Sequence, residues 1–223
     1  MLLLGIDTSG KQGSIALAEG DAASFAVLEV VPLAGGTFSA QLIPQVAELL
    51  SKHKRAKQDL GGFAVASGPG SFTGLRVGLA AVKALAEVLH KPIAAVSVLE
   101  AMAVVSGRTG SVLAALDASR QEVFAGECDV GSEARLAGEW LLTQEEFLAR
   151  AGSGIQVVTC DDTIARLCSG RGLAAIRIER PRSDAIARIG LRKILAGQTV
   201  SVEALDANYL RRSDAEIFSA KQP

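Results

Sequence analysis

Asp7, Ser9, Asp117 and Ser119 are the residues whose types and spacing come nearest to a ligand-binding constellation. Each Asp-x-Ser ends one apolar run and precedes another, in "LLLGIDTSGKQGSIALAE" and "VLAALDASRQEVFAGE". The carboxylate therefore stands at the turn of a strand–turn–strand hairpin, where it can orient a hydrated Mg²⁺ or tie the turn by accepting backbone N–H bonds. The second turn has no glycine to bring a backbone close to phosphate oxygens, and Glu122 adds a repelling charge. Turn-tying is thus the expected role of both aspartates, with Asp7 and Ser9 the only candidates for a cofactor contact.

The stretch "SGPGSFTGLRVG", residues 67–78, raises a second possibility, phosphate binding. It lacks the Lys and Thr offsets of a P-loop, and Thr73 stands where a dinucleotide fingerprint needs its third glycine. Ser71 and Thr73 read as helix caps rather than nucleophiles, since no histidine can serve as their base. Gly70, Gly74 and Gly78 recur every four residues, which on a helix starting near Phe72 or Thr73 makes a ridge without side chains. A mid-helix glycine costs about 1 kcal/mol relative to alanine, so close approach of another backbone is the expected compensation. Two apolar stripes follow, one of Leu75, Leu79, Val82, Ala86 and Leu89, the other of Val77, Ala81, Leu85 and Val88. Only a narrow strip, Arg76, Lys83, Glu87 and His90, stays polar. Such a helix must be covered on more than one side, by its own sheet and, on this reading, by a second protein.

Other chemistry is sparse. The two histidines, His53 and His90, each fall near a helix C-terminus, where they complement the helix dipole. No H-x-x-x-H occurs, which removes a metallopeptidase site. Cys128, Cys160 and Cys168 are odd in number and lack CxxC spacing, so buried thiols in a reducing compartment are expected. Arginines gather late, at 177, 180, 182, 188, 192 and 211–212, as a solvated face or as a contact surface for a partner or tRNA.

These residues must be positioned by alternating elements. The first half reads β-β-β-α-β-α-β-α: strands at "LLLGID", "GSIALAE" and "SFAVLEVV", a helix through "SAQLIPQVAELLSKHK", a strand "GGFAVAS", the glycine-loop helix, then "PIAAVSV" running into a capping box at Ser97–Glu100. The second half begins again about 110 residues later. Its hairpin turn counts two residues shorter, and it continues with a helix start at Thr143-x-x-Glu146, short strands "IQVVT" and "LAAIRI", and a helix "SDAIARIGLRKILAG". Two domains are expected, 1–108 and 109–223, with the last 20 or so residues able to pack back on the first. At 223 residues and 49% hydrophobic the chain can bury both cores. Its formal net charge of −1 argues against holding nucleic acid unaided. "MLLLGIDTSG" has no basic leader and no apolar run reaches membrane-span length, so a cytoplasmic, soluble protein is expected.

Duplicated β-β-β-α-β-α domains opening on such hairpins resemble the actin/hexokinase/Hsp70 (ASKHA) superfold, an α/β architecture with mixed central sheets flanked by helices. A small-molecule kinase or ATPase of that superfold is therefore the alternative functional reading. More specifically, "LLLGIDTS", "ASGPGSFTGLRVGLAAVKALA", "LAALDASRQEVF" and "YLRRSDAE" resemble the TsaB (YeaZ) family of bacterial tRNA threonylcarbamoyladenosine biosynthesis proteins, from Leu2 to about Glu216. The resemblance implies a noncatalytic subunit that pairs with a catalytic, metal-bearing paralogue, TsaD, and works with the ATPase TsaE. It implies no cofactor of the chain's own, ATP and Mg²⁺ being used by the assembled complex, and tRNA reached only through that complex. The helix after GPGSFTG and the one before it would form the pairing surface for TsaD and for a homodimer. Gly70, Ser71, Phe72, Thr73, Gly74, Leu75, Arg76, Gly78, Leu79 and Val82 are the expected interface. Phe38 stands where many relatives have His, Ser119 where they have Arg, and Phe124 where they have Tyr.

Overall fold

The structure, a computed structural model, describes residues 1–131 and 134–210. Among the described residues, ten strands form two five-stranded sheets. The first contains β1 (Leu2–Asp7), β2 (Gly13–Gly20), β3 (Phe25–Leu33), β4 (Leu60–Gly68) and β5 (Ile93–Ser97), in the order β3-β2-β1-β4-β5. The second contains β6 (Gly110–Asp117), β7 (Glu122–Val130), β8 (Ala134–Thr143), β9 (Gln156–Thr159) and β10 (Ala175–Arg177), in the order β8-β7-β6-β9-β10. Position by position this is the same mixed sheet twice: two antiparallel pairings lead to the opening strand, and parallel pairings continue beyond it. The expected duplicated α/β fold is present.

The helices follow the same duplicated order. In the first half they are α1 (Phe38–Lys52), α2 (Phe72–Leu89) and α3 (Val98–Val105). In the second they are α4 (Gln144–Ala151), α5 (Asp162–Ser169) and α6 (Ser183–Leu195). β1 is buried at all six positions because helices cover both faces of the sheet, which is why it reads as a continuous apolar run rather than an alternating one. α1 buries Phe38, Leu42, Val46 and Leu49, one stripe at helical spacing. None of the helices among the described residues is long and apolar enough to cross a membrane.

Contacts divide the described residues into Met1–Ala101 with Pro181–Ala207, and Met102–Arg180 with residues 208–210. This differs from a single cut at 108/109, and the reason lies in α6. That helix packs on β1, β2, β4 and β5 of the first sheet and buries Ser183, Ile186, Ala187, Ile189, Gly190 and Leu191. Small residues permit the approach: a Cβ added at Gly5 would lie 2.8 Å from the Ala187 methyl, and one at Gly190 would overlap the Ala64 methyl. Leu205 and Ala207 also join the first core. The end of α3 goes the other way, Ala103 packing with Val112, Cys128 and Val158.

Candidate functional site

The first hairpin is a tightly bonded turn. Asp7 Oδ1 accepts the Ser9 N–H at 2.8 Å and the Ser9 hydroxyl at 2.6 Å, with both residues buried. The next links run to the glycine loop. The Ser71 N–H donates to the Ser9 carbonyl at 2.7 Å, and the Thr8 hydroxyl donates to the Gly74 carbonyl, also at 2.7 Å. Ser71 caps α2, its hydroxyl accepting the Gly74 N–H at 3.3 Å. Helix α2 therefore starts where expected, and its first turn is sewn to the end of β1.

This arrangement corrects the reading of the glycine ridge. A Cβ on Gly70 would overlap the Ser9 carbonyl, one on Gly74 the Thr8 carbonyl, and one on Gly78 the Thr8 hydroxyl. The three glycines admit the chain's own β1 turn, not a second protein. Gly74, Leu75, Gly78, Leu79 and Val82 are buried in the first core, so these five of the expected interface residues face inward. The physical reason is that a strand end, like a helix, needs a groove without side chains to come this close.

Gly70, Ser71, Phe72, Thr73 and Arg76 remain on the outside. Here α1 and α2 enclose an apolar groove of about 450 Å³, lined by Ser39, Leu42, Ile43, Phe72, Thr73, Arg76, Val77, Ala80 and Ala81. Ile43 is 48% exposed and Phe72 40%, and the Arg76 guanidinium stacks 3.7 Å above the Phe72 ring. Apolar side chains exposed along one groove are the kind of surface that a binding partner can cover. Of the residues that line the groove, Ser39, Leu42, Ile43, Val77, Ala80 and Ala81 are not among those expected at an interface from the sequence. The signal for two of them was present, since Val77 and Ala81 belong to the second apolar stripe of α2.

The second hairpin is more open. Asp117 is exposed; its Oδ1 accepts the Ser119 N–H at 2.8 Å, and its own N–H donates to Asp161 Oδ2 at 2.7 Å. Strand register pairs Asp7 with Ser14 and Asp117 with Val123, so the second turn is one residue shorter, not two. Ser119, Arg120 and Gln121 all adopt positive φ, a left-handed run without glycine that none of these residue types announces. Phe38 is buried at the start of α1 with its ring beside Gly13, an apolar role.

The remaining candidates have local partners. His53 Nε2 lies 2.8 Å from Glu29 Oε2, and His90 closes α2 in a left-handed C-cap. Arg177 pairs with Asp162 at 2.7 Å, Arg182 with Asp184 at 3.5 Å, and Arg188 stacks on Phe25. Cys128 and Cys168 are buried; burial is the main cause raising the thiol pKa of both Cys160 and Cys168. Among the described residues, no three His, Cys, Asp or Glu side chains are grouped to hold a metal ion. Arg211 and Arg212 lie outside the described residues.

Comparison with known proteins places this geometry. Residues 30–204 match the family model of TsaD, tRNA N6-adenosine threonylcarbamoyltransferase. The chain is 31% identical to the tRNA threonylcarbamoyladenosine biosynthesis protein TsaB of Bacillus subtilis, over 97% of this chain and 96% of that one. It is 28% identical to the Escherichia coli protein of the same name, over 96% of each. The solved structure of YeaZ from Pseudomonas aeruginosa superposes with a TM-score of 0.78 at 27% identity, covering 94% of this chain and all of that one. Likeness of this extent, in sequence and in fold together, leaves one assignment: the chain belongs to the TsaB (YeaZ) family of tRNA threonylcarbamoyladenosine biosynthesis proteins.

Proposed function

We propose that the chain is a noncatalytic subunit of the assembly that forms threonylcarbamoyladenosine in tRNA, and that it docks a TsaD-type catalytic paralogue through the α1–α2 groove. Family membership supports the role in this biosynthesis. One observation carries the docking: an apolar groove of about 450 Å³ between two helices, with Ile43 and Phe72 left in water. A facing pair of helices from the paralogue would bury it. In the absence of the paralogue, a second copy of the chain covers the same groove. In this reading the chain holds no cofactor; a TsaE-type ATPase and the paralogue use the ATP and Mg²⁺, and tRNA is met only by the complex.

The test is complex formation with the TsaD-family paralogue of the same organism, followed by size-exclusion chromatography with mass measurement. Ala80→Glu and Ile43→Asp put a charge into the groove at exposed positions, so the chain stays folded and co-elution is lost. Co-elution of both variants at wild-type stoichiometry overturns the docking. Calorimetry of the isolated chain with Mg-ATP separates this reading from a kinase or ATPase: micromolar binding that Asp7→Ala removes would favour the enzyme.

A further inference from the structure

We propose that Thr8, held in place by the Asp7–Ser9 turn, is a positioning residue that sets the depth and angle of α2 and so the shape of the docking groove. The inference rests on the docking proposed above. Three observations carry it. The Thr8 hydroxyl bonds the Gly74 carbonyl at 2.7 Å from a site that is 1% exposed. The Ser9 carbonyl takes the Ser71 N–H at 2.7 Å, and Ser9 itself is fixed by two bonds to Asp7 Oδ1. The glycines at 70, 74 and 78 leave no slack, because any side chain there would strike Thr8 or Ser9.

On the far side of the helix from that inner face, Phe72, Arg76 and Ala80 line the groove, and Thr73 and Val77 continue it along the flank. A well-packed helix moves as a unit, so an ångström of movement at Thr8 reappears at Phe72 and Ala80, while α1 is held by β2 and β3 as well as by α2. Thr8 touches no partner in this arrangement. Its effect on binding passes through the position of α2.

The experiment compares Thr8→Val, Thr8→Ser, Thr159→Val and Ala80→Glu in the full chain, by titration calorimetry with the TsaD-family paralogue and by thermal unfolding. Thr159 is the control: its buried hydroxyl donates to the Ala115 carbonyl at 2.8 Å and accepts the Asp161 N–H at 3.0 Å, a comparable threonine-to-carbonyl bond far from α2 in sequence and in a different sheet. Thr8→Val is expected to weaken binding roughly three- to tenfold, the range of couplings carried through packed elements. Thr159→Val should lower the melting temperature comparably yet keep wild-type affinity, and Thr8→Ser, which restores the hydroxyl, should recover most of the loss. If Thr8→Val binds as wild type while Ala80→Glu does not bind, the positioning role is overturned and the docking stands. If Ala80→Glu binds as wild type, the docking itself has failed. Should Thr8→Val not fold, Ser9→Ala takes its place, loosening the residue that accepts from Ser71; wild-type affinity there also overturns the proposal.

Discussion

Lys193 on α6 reaches back to Glu100 at the start of α3, its Nζ 2.7 Å from Glu100 Oε2 and 3.4 Å from the Ala95 carbonyl. The pair is unequal: the Glu100 side chain is 6% exposed and that of Lys193 is 23% exposed. Removing one member of a buried pair leaves the other charge uncompensated, at a cost of about 3–5 kcal/mol when burial is complete. Lys193→Met strands the deeply buried carboxylate. Glu100→Gln leaves an ammonium that still meets water and the Ala95 carbonyl. We expect Lys193→Met to lower the urea midpoint clearly more than Glu100→Gln does. Equal midpoints would show that the pair contributes little to holding α6 on the first sheet.

Gly74 gives the opposite expectation from a partner-facing ridge. Its missing Cβ makes room for the Thr8 carbonyl, a backbone atom that cannot rotate away. Gly74→Ala should therefore destabilise the isolated chain by about 1–3 kcal/mol, the usual cost of overpacking a filled core, despite alanine's better helix propensity. Thermal unfolding of the chain alone measures this. An unchanged or raised melting temperature would mean that β1 and α2 can separate without cost.

How far the sequence reveals these features depends on what each pattern encodes. Glycines four residues apart announce a close approach but not from which direction, because the spacing is identical for an inward and an outward ridge. The direction follows from neighbouring side chains: Leu75, Leu79 and Val82 are buried on the side that Gly78 shares, while Val77 and Ala81 are only partly covered. The first half is legible because β1, β4 and β5 are buried apolar runs and α1 and α2 are long. β8 is not, since Arg135, Gly138 and Glu139 interrupt it; Gly138 is there to admit the Trp140 ring, 2.6 Å from where its Cβ would be. α5 is eight residues long, and Asp161, placed to cap it, instead accepts from the Asp117 N–H. The address of α6 could not be read from its own sequence, because its apolar stripe fits either sheet and the choice is made by Gly5 and Gly190.

The capping box of α4 supplies a pH-dependent test. Glu146 accepts from the Thr143 N–H and hydroxyl, each at 2.8 Å, and the Thr143 hydroxyl accepts the Glu146 N–H at 3.2 Å. The backbone bond first, then the hydroxyl bond, hold the Glu146 carboxyl below its ordinary value of 4.5. A depressed folded-state pKa means that the unfolded chain takes up its proton at higher pH. The stabilisation is complete above the ordinary carboxylate value and is lost as pH falls through the lower folded value. Glu146→Gln cannot titrate. The melting temperature of the wild-type chain should exceed that of Glu146→Gln at pH 7, and the difference should shrink below pH of about 4 as the carboxylate is neutralised. Other depressed carboxylates, Asp21, Glu29 and Glu203, are common to both chains and cancel in the difference. A gap that stays constant between pH 7 and pH 3 would mean that the charge on Glu146 contributes nothing to the cap.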